Sequence, residues 1–208
     1  MADITIIGAG NMGGAIAGLA AAGGSSVQVL ARSLEAASAV AGSLEGASAG
    51  TVGDAIAGEI VVLALPYPAV AEVLGAYADQ LDGKVVVDIT NPLDFSTFDS
   101  LVVAPDASAA AEIAAAVPGA RVLKAFNTNF AGTLATGSVG EAQPTTVLIA
   151  GDDTAAKEAL AAIVTAGGLR AVDAGSLRRA REAEALGFLQ LTLAAQEKTS
   201  WGAGFALI

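Results

Sequence analysis

A glycine-spaced turn close to the N-terminus constrains this chain more than any other feature. Ile4-Thr5-Ile6-Ile7 is a short β-branched run, and Gly8-Ala9-Gly10-Asn11-Met12-Gly13 follows it at once. A helical stretch from Asn11 to about Ala22 comes next, closed by Gly23-Gly24. A G-x-G-x-x-G pattern alone is weak, but between a strand and a helix it has a mechanical meaning. Gly8 permits the tight turn, Gly10 lets the backbone approach a pyrophosphate, and Gly13 lets the helix pack on the strand. The helix N-terminus offers unpaired N–H groups and the positive end of its dipole to an anion.

The rest of the chain repeats the alternation. Val27 to Leu30 reads as a strand, Leu34 to Val40 as a helix, and Glu59 to Leu65 as a nearly continuous apolar strand. A helix over Pro68–Gln80 and a strand over Lys84–Ile89 follow. Further on come a helix over Ser108–Val117 and strands over Arg121–Ala125 and Thr145–Ala150. A helix over Ala155–Ala166, a strand over Leu169–Asp173 and a long helix over Leu177–Thr199 complete the pattern. Apolar runs without alternation belong to strands covered on both faces. The expected fold is therefore α/β, a Rossmann-type doubly wound, mainly parallel sheet in three layers. Length suits one domain over 1–208, with residues from about 121 onward completing an acceptor pocket and a dimer interface. The loop from Asn91 to Ala107 is long enough to cover a site.

Charge limits the partners. The chain carries ten Lys and Arg against 21 Asp and Glu, a net −11. Nucleic acid and anionic membranes are disfavoured, because both are negative. An anionic cofactor must be held by local positive groups. There is no Cys and no His. That excludes disulfides, thiolate chemistry and Ser-His-Asp catalysis, and no metal site is expected. The N-terminus has no basic segment, and no apolar stretch is long and unbroken enough to span a bilayer, so a cytoplasmic protein is expected.

The end of the second strand chooses the nucleotide. Enzymes using NAD place Asp or Glu there for the ribose 2′-hydroxyl. Here the residues are Ala31, Arg32 and Ser33. Arg32 offers a bidentate pair to a 2′-phosphate and Ser33 a hydroxyl, so NADP(H) is the expected cofactor.

Chemistry in an open parallel sheet sits at the carboxyl ends of the strands. Leu65-Pro66-Tyr67, with Val70 beyond, would line the ribose and pyrophosphate. Asp88-Ile89-Thr90-Asn91-Pro92-Leu93 and Phe126-Asn127-Thr128-Asn129 would face the nicotinamide and an acceptor, since Asn and Thr side chains suit a carboxamide. X-Pro and Asn-Pro are also ordinary turn chemistry. No residue stands out as a general acid, so the catalytic residues stay unassigned. Hydride transfer between two bound rings needs mainly proximity and orientation. Tyr67 lies beside the cofactor path, and strand alternation turns Lys124 elsewhere. The last helix ends in an apolar half, and with Trp201 and Phe205 it offers more apolar surface than one helix face needs. A homodimer interface is expected there, with the tail helping to close the acceptor pocket.

Taken together, the segments 8–13, 31–33, 65–68, 88–93, 124–128, 173–175 and 179–187 resemble the F420H2:NADP+ oxidoreductase family over nearly the whole chain. The resemblance implies a dimeric Rossmann protein passing a hydride between NADP(H) and the deazaflavin F420. It implies that the Gly8 turn with Arg32 and Ser33 holds NADP, and that Asn91-Pro92 and Asn127-Thr128 border the stacked rings. Archaeal members carry His and Ile around the residue matching Thr128, where this chain has Asn127 and Asn129. Some carry a second cation after the Arg, where this chain has Ala36 nearby. Related domains of metalloreductases have Asn at the Asn127 position and work with a flavin. Three readings stay open: an F420 reductase, a reductase of a flavin, quinone or imine, and a non-catalytic NADPH sensor.

Overall fold

The structure, a computed structural model, describes residues 3–140 and 143–207. Eight strands form one sheet in the order β10-β9-β6-β5-β4-β1-β2-β3. These are β1 (Ile4–Ile7), β2 (Val27–Ala31), β3 (Ser48–Thr51), β4 (Ile60–Leu63) and β5 (Val85–Asp88), then β6 (Arg121–Lys124), β9 (Thr146–Gly151) and β10 (Arg170–Gly175). Two short strands, β7 (Ser138–Val139) and β8 (Gln143–Pro144), pair separately. Neighbours in the large sheet are parallel except β6 and β9, which run antiparallel. The expected doubly wound, mainly parallel sheet is present, with one reversal near its edge.

Both faces of the central strands are apolar, and each face recruits its own helices. Ile4, Ile6, Val29, Val62, Val85 and Val87 face the layer of α1 (Asn11–Ala22), α2 (Leu34–Ala41), α5 (Ala131–Thr136) and α6 (Thr154–Ala166). Ile7, Leu30, Val61, Leu63 and Val86 face the layer of α3 (Val70–Tyr77) and α4 (Ala109–Ala116). The period-2 alternation of side chains makes this division unavoidable for β-branched runs buried on both sides. The last helix, α7 (Ala180–Ala195), packs on α4.

Several helix starts follow from capping. Ser33, Ser108 and Asp153 accept hydrogen bonds from Ala36, Ala111 and Ala156 and so begin α2, α4 and α6. A side-chain acceptor at this position satisfies one of the free amides of the first turn. Helices α3, α5 and α7 begin without a side-chain cap, and so does α1, whose N-cap is Gly10 and whose first turn carries no acid. Helix α7 stops at Ala195, short of the expected Thr199, and Glu197 there takes φ +58°. No helix among the described residues is long and apolar enough to cross a membrane.

Candidate functional site

The sheet order places a switch point between β1 and β4, and the crevice there opens at the strands' carboxyl ends. The glycine turn forms its floor. Gly8 has φ +123°, and a Cβ on it would lie 2.0 Å from the Ala64 carbonyl oxygen. A Cβ on Gly13 would lie 2.0 Å from the Gly8 carbonyl oxygen. Both glycines are therefore demanded by the fold. Gly10 differs: a Cβ there would meet nothing within 4 Å. The fold does not require glycine at position 10, but a ligand backing onto the bare N-terminus of α1 would.

A cleft of about 300 Å³ lies over this turn. It is lined by Gly10 to Gly13, Ala64 to Tyr67, Ile89 to Asn91, Phe95 and Leu191. The expected residues Gly10, Asn11, Met12, Gly13, Leu65, Pro66, Tyr67 and Asn91 are thus brought together. Gly8 is buried beneath them and Ala9 half-buried. Pro92 and Leu93 are buried behind the cleft, and Leu93 pairs with Leu101 across the following loop. Val70 turns into the core on the α3 side.

Ala31 ends β2 in the core, and Arg32 beyond it is exposed. Among the described residues its guanidinium has no ion-pair or hydrogen-bond partner, whereas Lys84, Lys124, Lys157 and Arg179 are paired with acids. The Ser33 oxygen accepts from the Ala36 amide at 3.2 Å, which leaves its hydroxyl proton free to donate.

The segment after β6 is placed differently from the sequence expectation. Phe126 takes φ +61° and is 1% exposed. Asn127, Thr128 and Asn129 are buried. The Asn127 amide donates to Asn91 Oδ1 at 2.9 Å and to the Ala183 carbonyl at 2.8 Å, and that of Asn129 donates to the Thr146 carbonyl at 3.1 Å. The two amide donors tie the loop to α7 and β9, while Asn129 Oδ1 has no partner among the described residues. Phe130, next in sequence, is the residue that borders open space.

Two further features shape this end of the cleft. Thr90 lines the cleft and is 3% exposed, yet its hydroxyl oxygen has no hydrogen-bond partner. A buried hydroxyl left unpaired is costly, and a ligand's polar group at the nicotinamide end would satisfy it. Behind it, Lys124 Nζ lies 2.7 Å from Asp88 Oδ2, 2.9 Å from Glu184 Oε1 and donates to the Thr90 carbonyl at 2.6 Å. Glu184 also accepts from the Ala109 and Ala110 amides. Burial pushes the Glu184 carboxyl above the usual range, with Lys124 working against the shift. Asp88 and Lys124 are register partners at the ends of two buried strands, and that pairing of opposite charges was the available signal.

Tyr67 donates its hydroxyl hydrogen to Glu112, and burial with that carboxylate raises the phenol well above its usual value. Its proton is therefore committed outward, away from the cleft. Among the described residues no group of His, Cys, Asp and Glu could hold a metal ion.

Known proteins are similar to this chain in sequence and in fold. The model of the family described as NADP oxidoreductase, coenzyme F420-dependent, matches residues 3–92. Metalloreductase STEAP3 of Rattus norvegicus is 38% identical over 114 residues, 54% of this chain and 22% of that protein. The F420-dependent NADP reductase of Methanocaldococcus jannaschii is 29% identical over 133 residues, 62% of this chain and 59% of that protein. The chain thus matches about a fifth and about three fifths of the length of these curated relatives. A crystal structure from Arthrobacter sp. FB24, provisionally described as an F420-dependent NADP-reductase, covers 100% of both chains at 28% identity and TM-score 0.86. The matched segment contains the turn, Arg32, the β4 end and Asn91, the parts from which the cleft is built. Over residues 3–92 the chain is similar to the family described as NADP oxidoreductase, coenzyme F420-dependent.

Proposed function

We propose that the protein is an oxidoreductase that binds NADP(H) in the cleft over the glycine turn and passes a hydride between its nicotinamide and a ring-shaped acceptor of the deazaflavin or flavin class. Arg32 carries this reading. It is an unpaired guanidinium one strand from a bare helix N-terminus, in a chain of net charge −11. A 2′-phosphate explains that placement, since Arg matches phosphate oxygens with a planar fork.

Bound NADP(H) supplies a hydride donor or acceptor. The chain's own residues do the rest. The first-turn amides of α1 face the pyrophosphate. Arg32 and the Ser33 hydroxyl grip the 2′-phosphate. Thr90 and Asn91 orient the nicotinamide end, and Phe95 and Leu191 keep water off it. Tyr67 is the one ionisable side chain lining the cleft, and its proton goes to Glu112. An acceptor reduced here therefore takes its hydride from the nicotinamide and its proton from water. The exposed Leu189, Phe205 and Leu207 suit contact with a second copy, so a homodimer is part of the proposal.

The test is turnover with a flavin or deazaflavin acceptor, followed by loss of nicotinamide absorbance. NADPH should be consumed at least roughly tenfold more efficiently than NADH, the margin a charge-assisted pair provides. Equal use of both nucleotides would contradict the reading.

A further inference from the structure

Three ionisable side chains are buried together directly behind the wall of the cleft. Asp88 ends β5, Lys124 ends β6 beside it in register, and Glu184 reaches them from α7. These side chains are at most 1% exposed. Lys124 Nζ bridges the two carboxylates, 2.7 Å from Asp88 Oδ2 and 2.9 Å from Glu184 Oε1. One residue ties the cluster to the cleft. Thr90, in the cleft lining, donates its amide to Asp88 Oδ1 at 2.8 Å, and its carbonyl accepts from Lys124 at 2.6 Å.

The charges do not cancel. Two carboxylates face one ammonium, so the fully ionised cluster carries a net negative charge. The groups around Glu184 offset it in part. The Ala109 and Ala110 amides at the start of α4 donate to it, and a helix N-terminus is worth about half a positive charge. On its own helix, exposed Arg181 and Glu182 border the same hollow with opposite charges. Beyond the cluster lie Tyr67 and its partner Glu112 of α4, the second a further negative charge. The excess reaches the cleft. Burial and Glu112 raise the Tyr67 phenol most, and Glu184 and Asp88 raise it further. Salt screens little of a charge buried this deeply.

The two redox states of the nucleotide differ by one charge at the ring. Oxidised nicotinamide is a cation, reduced nicotinamide is neutral, and the phosphates are common to both. Negative charge behind the ring therefore tells the states apart, whereas the grip on the 2′-phosphate does not. We propose that the buried Asp88–Lys124–Glu184 cluster biases the cleft toward NADP+ over NADPH through the Glu184 carboxylate, an inference that rests on the reading of this cleft as the NADP(H) site. Bound NADPH becomes a stronger hydride donor, because its product is the state the cluster favours. NADPH loses a hydride with its two electrons and becomes NADP+, and the acceptor gains that hydride and one proton from water. Protonation of Glu184 removes the excess charge. Burial pushes this carboxyl above the usual range, with Lys124 opposing the shift. The bias is therefore weakest in the ordinary glutamate range and grows as pH rises through the raised value.

Calorimetry on the full chain, from about pH 5 to about pH 9, gives the dissociation constants of NADPH and NADP+. In the parent the ratio of the NADPH constant to the NADP+ constant should rise with pH by roughly tenfold. That is the scale of one unit charge at about 10 Å in an effective dielectric near 20. Glu184→Gln removes the charge and keeps the shape, so its ratio should stay at the parent's acid-side value throughout. A merely structural role for Glu184 would weaken both nucleotides alike and leave the ratio unmoved. A ratio flat with pH in the parent, or one that Glu184→Gln leaves unchanged at alkaline pH, overturns the proposal. The parent profile alone decides the matter should the variant fail to fold. Failure of the parent to bind either nucleotide would instead overturn the assignment of the cleft.

Discussion

Asn91 and Asn127 hold each other by two hydrogen bonds: the Asn91 amide donates to the Asn127 carbonyl at 2.8 Å, and the Asn127 amide donates to Asn91 Oδ1 at 2.9 Å. The pair joins the loop after β5, which lines the cleft, to the loop after β6. Helix α7 lies directly on it, because position 187 is glycine. A Cβ on Gly187 would come within 2.3 Å of Asn91 Oδ1 and 2.8 Å of the Asn127 carbonyl oxygen. Gly187→Ala must therefore push α7 away or break the pair. The expected cost is about 1–3 kcal/mol of stability, the usual penalty for overpacking. Thermal melts measure it, and an unchanged melting temperature would show that α7 is not seated as described.

Thr90 separates ligand binding from fold stability. Its hydroxyl is buried and unpaired in the protein, so Thr90→Val removes an unsatisfied group while conserving shape. The melting temperature should hold or rise. NADPH binding should weaken, by roughly the one hydrogen bond lost, about 0.5–1.5 kcal/mol. Destabilisation without any change in binding would mean that the hydroxyl serves the fold only.

Lys124 neutralises two buried carboxylates, and its removal should be severe. Lys124→Met leaves Asp88 and Glu184 facing each other without a counter-ion, at a cost of about 3–5 kcal/mol. Glu184→Gln should be far milder, because Lys124 keeps Asp88. The sign with pH follows from the raised Glu184 carboxyl. The folded state binds this proton more tightly than the unfolded chain does. Glu184 therefore costs stability progressively as pH rises from the ordinary glutamate range to its raised folded value. Across that window the stability of Glu184→Gln relative to the parent should increase with pH, as read from denaturant midpoints. A constant difference would mean that the carboxyl is not shifted.

The parallel core was legible because β1, β4 and β5 are apolar on both faces, which leaves few alternatives to a covered sheet. Arg32 stands exposed just past the end of β2, where the sequence placed it. Strand β3 was not legible, since Ser48-Ala49-Gly50-Thr51 has no apolar run and forms by pairing with β2. The antiparallel turn of β9 against β6 was equally hidden, because side-chain alternation carries no direction. Asn91 and Asn127 do converge, as the two polar loops suggested. Their side chains satisfy each other and α7, leaving Phe130 and Trp201 to shape the open space. Spacing in sequence gave no hint of that, because the partners come from the far end of the chain.

Calorimetry on the parent and on Arg32→Ala, each titrated with NADPH and with NADH, reaches the central claim most directly. The parent should prefer NADPH. In Arg32→Ala the affinity for NADPH should fall about 10–100-fold, the equivalent of about 1.5–3 kcal/mol for a hydrogen bond to a charged group, while that for NADH stays close to its parent value. A parent that binds both nucleotides equally, or a variant that keeps the preference, would contradict the account.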